Sequence, residues 1–203
     1  MRIGIDFDNT IVCYDDLFYR VALEDNLIEP RVPRSKIGVR EYLRSINAES
    51  DWTRLQGIVY GTRIQEALPY SGVLDFIRRG NQKGHEIFII SHRTKIPSSG
   101  MNYDLHEAGF SWLAKHLVSD DSPLVASKNI FFEQEKTAKI DRIRECCCDF
   151  FIDDLPEILL TDSFPFSTRK ILFDPIGHYE GVYPFIHARS WTDILALISI
   201  HDS

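Results

Sequence analysis

The chain has 203 residues, enough for one core with one insertion and too few for a long multidomain array. Hydrophobic residues make up 44% and charged residues 26%, a balance that speaks against wholesale disorder and against collagen-like or coiled-coil architecture. Thirty acids against 23 bases give a net charge of −7, a poor basis for sequence-independent nucleic-acid binding, which runs on Lys and Arg neutralising phosphates.

The pattern opens on a strand over 2–7, where Ile3, Ile5 and Phe7 alternate with Gly4 and Asp6 before the turn residues Asp8, Asn9 and Thr10. A helix is expected over 15–26, with Leu17, Phe18, Val21 and Ala22 at helical spacing and Pro30 and Pro33 beyond it. Ser35 opens a second helix with Val39, Tyr42, Leu43 and Ile46 on one stripe, and a third is expected over 51–68. After the turn at 69–72, the reading becomes a short helix over 73–82, a buried-type strand over 85–91, a helix over 103–117 and a strand over 129–132. A helix over 136–147, strands over 149–153, 170–173 and 184–188, and a last helix from Ser190 to about 199 complete it.

Strands alternating with helices predict an α/β fold, a doubly wound parallel sheet of Rossmann type. Such sheets bind ligands at the carboxyl ends of their strands. There is no apolar run of ~18 residues for a membrane span, and the acids at 6 and 8 interrupt any signal-peptide core, so a cytoplasmic protein without membrane partners is expected. Cys13 and the run Cys146, Cys147 and Cys148 lack the spacing of a disulfide framework or a zinc site and read as reduced, packing cysteines.

Four polar groups fall at or near the expected strand ends. Asp6 and Asp8 bring two carboxylates close to one point. They could be hard-oxygen ligands for Mg²⁺, or a nucleophile paired with an acid/base, or simply turn formers. Ser91 puts a hydroxyl at the end of an apolar strand. Lys136 and Lys139, three apart at a helix start, each offer an ammonium against crowded acids. Asp153 and Asp154 repel each other directly after an apolar stretch and call for a nearby cation.

In this order the motifs resemble those of the haloacid dehalogenase-like (HAD) hydrolases: Asp6-Phe7-Asp8-Asn9-Thr10, then Ile89-Ile90-Ser91, then Lys136, then Ile152-Asp153-Asp154. The resemblance runs from residue 1 to about 175. It implies a HAD-like core over 1–13 and 71–203 and a small helical cap inserted over 14–70. It implies Asp6 as the nucleophile that forms an aspartyl-phosphate and Asp8 as general acid/base. Thr10, Ser91 and Lys136 would serve the phosphate group, with Lys139 as the alternative to Lys136 and Thr10 also fixing the first turn. Mg²⁺ would be held by Asp6, Asp8 (through its backbone carbonyl) and Asp154, with Asp153 in support. The expected activity is a Mg²⁺-dependent phosphatase acting on a small phosphorylated metabolite. A 5′-nucleotidase is the alternative, and a phosphomutase or a degenerate binding protein lies further off. A dehalogenase would not need Asp8. The arginines of the insertion, Arg20, Arg31, Arg34, Arg40, Arg44, Arg54 and Arg63, could grip an anion or simply be solvated.

Overall fold

The computed structural model describes residues 1–99, 102–179 and 181–199. Six strands form one sheet: β1 (Arg2–Ile5), β2 (Glu86–His92), β3 (Ile130–Glu133), β4 (Phe150–Asp153), β5 (Arg169–Phe173) and β6 (Ile186–Ala188). The helices are α1 (Asp15–Glu24), α2 (Lys36–Ser45), α3 (Glu49–Gly57), α4 (Val73–Gln82), α5 (Leu105–His116), α6 (Lys136–Glu145), α7 (Pro156–Leu159) and α8 (Trp191–Ser199). The chain divides into two compact units, 1–11 with 69–92 and 117–203, and 12–68 with 93–116.

The first unit carries the sheet. Its strand order is β6-β5-β4-β1-β2-β3, and every neighbouring pair is parallel. The order reverses between β1 and β4, and that switch point is where α/β sheets open a ligand crevice. Register fixes what meets there. Ile5 pairs with Ile89 on one side and Ile152 on the other, and the Asp6 N–H donates to the Ile152 carbonyl at 2.9 Å. Asp6 and Asp153 therefore leave adjacent strands at the same level.

One face of the sheet, with Phe88, Ile90, Phe151 and Leu172, packs on Ile140 and Ile143 of α6 and on Cys146 and Cys148. Gly4 lets this layer close. A Cβ there would lie 2.5 Å from Cδ2 of Phe151 and 2.9 Å from Sγ of Cys148. The cysteines are free thiols; Cys146 and Cys148 are buried in this layer, Cys13 is half-buried, and Cys147 is exposed and does not pack as expected. Towards the sheet edge, Trp191 of α8 packs on Phe76 of α4 and Phe173 of β5. An antiparallel hairpin pairs Val118–Ser119 with Ser122–Pro123, and the left-handed backbone of Asp120 and Asp121 makes its turn. No local pattern had marked it as a strand pair.

The second unit is helical. Phe18 of α1 stacks on Trp52 of α3 at 4.9 Å, and Tyr60 meets Tyr14 edge-on at the same separation. The single helix expected over 51–68 is broken. α3 ends at Gly57, a π-helical turn spans Ile58–Thr62, and a 3₁₀ turn follows over Ile64–Glu66. This unit also contains 93–116, which the sequence pattern assigned to the core. Tertiary bonds explain the difference: Trp112 of α5 donates to the Ala67 carbonyl, and buried Arg93 donates to the carbonyls of Tyr60 and Leu105. The unit begins at Val12, slightly earlier than the expected residue 14.

Candidate active site

The site is built from strand ends of the first unit. β1 stops at Ile5, and the chain then turns through Asp6–Thr10, with Asn9 in the left-handed region at φ 58°. Asn tolerates that region better than most residues. The turn carries Asp6, which is 4% exposed, and Asp8, which is half-buried. β2 delivers Ser91 beside them. Its Oγ donates to Asp6 Oδ1 at 2.8 Å.

The lysine that reaches this group is Lys139, not Lys136. Lys139 Nζ lies 2.6 Å from Asp6 Oδ1 and 2.6 Å from Asp153 Oδ2, and the residue is 2% exposed. Lys136 is exposed and pairs with Glu157 at 2.6 Å. The physical reason lies in the helix. Lys136 is the first residue of α6, whereas Lys139 sits one turn further in, beside the buried Ile140 and Ile143. The two lysines share a helical stripe, so spacing alone could not separate them.

β4 ends on Asp153, which is fully buried with both oxygens engaged: Oδ2 with Lys139, and Oδ1 with the Leu155 N–H at 2.9 Å. Asp154 is half-buried. Asp153 is thus committed to its neighbours, and Asp154 offers an oxygen to the same cluster. Thr10 does not fit the phosphate-binding role. It is wholly buried, its hydroxyl has no hydrogen-bond partner among the described residues, and its carbonyl accepts from Trp191 Nε1 at 3.2 Å. It belongs to the framework of the turn.

Charge is unbalanced in the pocket. Burial pushes the Asp6 carboxyl up to about 7 against the pull of Lys139, and the neighbouring carboxylates of Asp153 and Asp8 add to the rise. For Lys139, burial opposes the charge, but Asp153 and Asp6 win and hold it firmly protonated. One ammonium thus faces several carboxylates. Asp6, Asp153 and Asp154 each offer an oxygen within 4.8 Å of the others. Closely spaced hard oxygens with a deficit of positive charge fit a small divalent cation such as Mg²⁺. Asp6 and Asp154 would hold it. Asp8's carboxylate is not in that group of three.

The arginines of the second unit are mostly occupied. Arg20 bonds Asp16 and Glu66, Arg63 bonds Glu24 and Glu66, and Arg34 bonds Asp16. Arg31, Arg44 and Arg54 pair with Glu29, Glu49 and Asp25. Arg40 differs: its Nε is buried without a hydrogen-bond partner among the described residues.

The fold is haloacid dehalogenase-like, as solved structures show. A HAD-family hydrolase from Deinococcus radiodurans R1 with bound phosphate and sodium superposes with a TM-score of 0.58 at 11% identity, covering 99% of this chain and 96% of that one. The magnesium-bound structure of YfnB from Bacillus subtilis, provisionally named a HAD hydrolase, gives 0.57 at 15% identity and covers 97% of each chain. A phosphoserine phosphohydrolase-like protein from Francisella tularensis gives 0.55 at 14%, covering 97% and 99%. In sequence, a protein of Oceanobacillus iheyensis provisionally named a nucleotidase is 21% identical over 199 residues, 96% of this chain and 97% of that protein. No family model matches the chain.

Among the described residues no helix is long and apolar enough to cross a membrane.

Proposed function

We propose that the protein is a Mg²⁺-dependent phosphatase acting on a small phosphate monoester through a phosphorylated Asp6. The observation that carries this reading is the hold on Asp6. Ser91 and Lys139 both donate to Oδ1, so the carboxylate is fixed in rotation and Oδ2 is left as the attacking oxygen. Preorganised charge and position are what phosphoryl transfer chiefly requires.

In the first step Asp6 Oδ2 forms a bond to phosphorus, and the ester P–O bond breaks. Asp8 gives its proton to the departing oxygen. In the second step Asp8 takes a proton from water, and that water attacks phosphorus. Inorganic phosphate leaves and the Asp6 carboxylate returns. In this reading Ser91 Oγ and Lys139 Nζ also donate to phosphoryl oxygens. Bound Mg²⁺ supplies the positive charge that offsets the phosphate dianion and the crowded carboxylates.

A second reading, a nucleotidase, is favoured by one observation: the Oceanobacillus relative bearing that provisional name aligns along nearly the whole chain. A phosphate-release screen with Mg²⁺ over nucleoside monophosphates, sugar phosphates and small acid phosphates tests both. Turnover confined to nucleotides selects the second reading. Absence of release from every ester would leave the fold serving binding instead.

A further inference from the structure

The turn that carries Asp8 is pinned from several directions. Asp6 N–H is tied to Ile152, Ile11 N–H donates to the Phe7 carbonyl at 3.0 Å, and Tyr70 N–H donates to the Ile11 carbonyl at 2.8 Å. Between these ties the chain passes through Asn9 with positive φ and reaches Thr10, whose hydroxyl is unpartnered among the described residues. The Thr10 peptide is instead held through its carbonyl, by the indole N–H of Trp191. Trp191 lies 181 residues further along the chain and is 1% exposed. Its ring is set by Phe76 at 5.0 Å and Phe173 at 5.5 Å, so the N–H direction is fixed by packing on two other elements.

We infer that Trp191 is a positioning residue: its indole N–H, acting through the Thr10 carbonyl, sets where the Asp8 carboxylate stands relative to Asp6. The inference rests on the hydrolytic reading for its catalytic consequence. Its structural part, the restraint on the turn, stands independently. A misplacement of about 1 Å in a catalytic group can cost about a hundredfold in rate. A buried N–H···O=C bond of this kind has no water to replace it.

The test uses Trp191→Phe and, beside it, replacement of Trp191 by β-(3-benzothienyl)alanine, which keeps the bicyclic shape and lacks the N–H. Three quantities are read: steady-state kinetics on the best ester from the screen, amide hydrogen exchange over 8–11, and the thermal midpoint. The expected result for the benzothienyl protein is a kcat lower by about ten- to a hundredfold, KM within about twofold, faster exchange at Asp8, Asn9 and Ile11, and a midpoint lower by about 2–10 °C, the scale of one unsatisfied buried carbonyl. Phe should share the loss of kcat. Unchanged kcat, or losses that track the midpoint alone, would overturn the inference. If the parent protein hydrolyses nothing, the proposed function fails, and exchange still decides on Trp191: unaltered protection over 8–11 in the benzothienyl protein refutes the restraint.

Discussion

The ammonium of Lys139 lies 2.6 Å from Oδ1 of Asp6, across 133 residues of chain. The same ammonium reaches Asp153 at an equal distance, so one cation joins the ends of β1 and β4. Replacing Lys139 by Met removes that charge and leaves Asp6 and Asp153 buried together. Breaking a buried pair in this way costs about 3–5 kcal/mol. Phosphate release should fall about a hundred- to a thousandfold, on the scale of losing a central electrostatic group. Lys136→Met, at an exposed site, should stay within about twofold, since exposed ion pairs contribute ~0–1 kcal/mol. Activity and urea melts of the two variants together check the assignment, and a severe loss in Lys136→Met would reverse it.

The division of labour between the first two acids is separable. Asp6→Asn should abolish turnover and prevent a beryllofluoride adduct from forming at that position. Asp8→Asn should keep the adduct and lower kcat by about 10²–10⁴, the range for general acid/base help. Fluorine NMR of the adduct alongside phosphate release tells the two apart. An adduct in Asp6→Asn would show that the nucleophile is elsewhere.

Gly4→Ala tests the packing behind the site. The added methyl meets the Phe151 ring and the Cys148 sulfur at less than contact distance. Overpacking of this kind costs about 1–3 kcal/mol. A urea denaturation midpoint unchanged from the parent would mean that the layer yields more easily than its geometry indicates.

Asp174, at the end of β5, gives a pH dependence outside the catalytic group. Burial works against its charge, but the N–H groups of Tyr179 and His178 and the His187 ring hold its carboxyl below the usual range. The folded state therefore binds that proton less readily than the unfolded chain does. The stabilisation is fully present above the unfolded value, near pH 4, and is lost as pH falls through the lower folded value. Asp174→Asn should be less stable than the parent by about 1–3 kcal/mol at pH 7, the scale for a buried hydrogen-bonded charge. The gap should narrow below about pH 4. Chemical denaturation at pH 3, 5 and 7 measures it, and a gap constant with pH would exclude ionisation as its source.

Local pattern carried much of the sheet. The alternation around Ile3 and Ile5, the apolar run ending at Ser91 and the run ending at Asp153 each announce a strand and a polar terminus. What local pattern could not supply is long-range pairing. The choice between Lys136 and Lys139 depends on how far α6 has entered the packed layer. The placement of 93–116 depends on bonds from Arg93 and Trp112 to residues far away in sequence. The break after Gly57 is equally hidden, because Ile58, Val59 and Ile64 keep an apolar rhythm through the π and 3₁₀ turns. Thr10 misled for the opposite reason: its position in the motif points to a ligand, while its neighbours bury it.

The placement of β1 in the middle of the sheet also sets the order in which the protein can be made. β1 leaves the ribosome before either of its neighbours, β2 and β4, and β4 begins only at Phe150. Until that segment emerges, Asp6 lacks the Asp153 carboxylate, and the Lys139 ammonium precedes that carboxylate by only 14 residues. Pairing across so long a stretch is slow to close. A nascent chain ending before Asp153 therefore exposes an unpaired edge of β1 with an apolar face, the kind of surface on which chains associate wrongly. The chemistry and the vulnerability of the newborn chain thus share one origin, a central strand made long before its second neighbour.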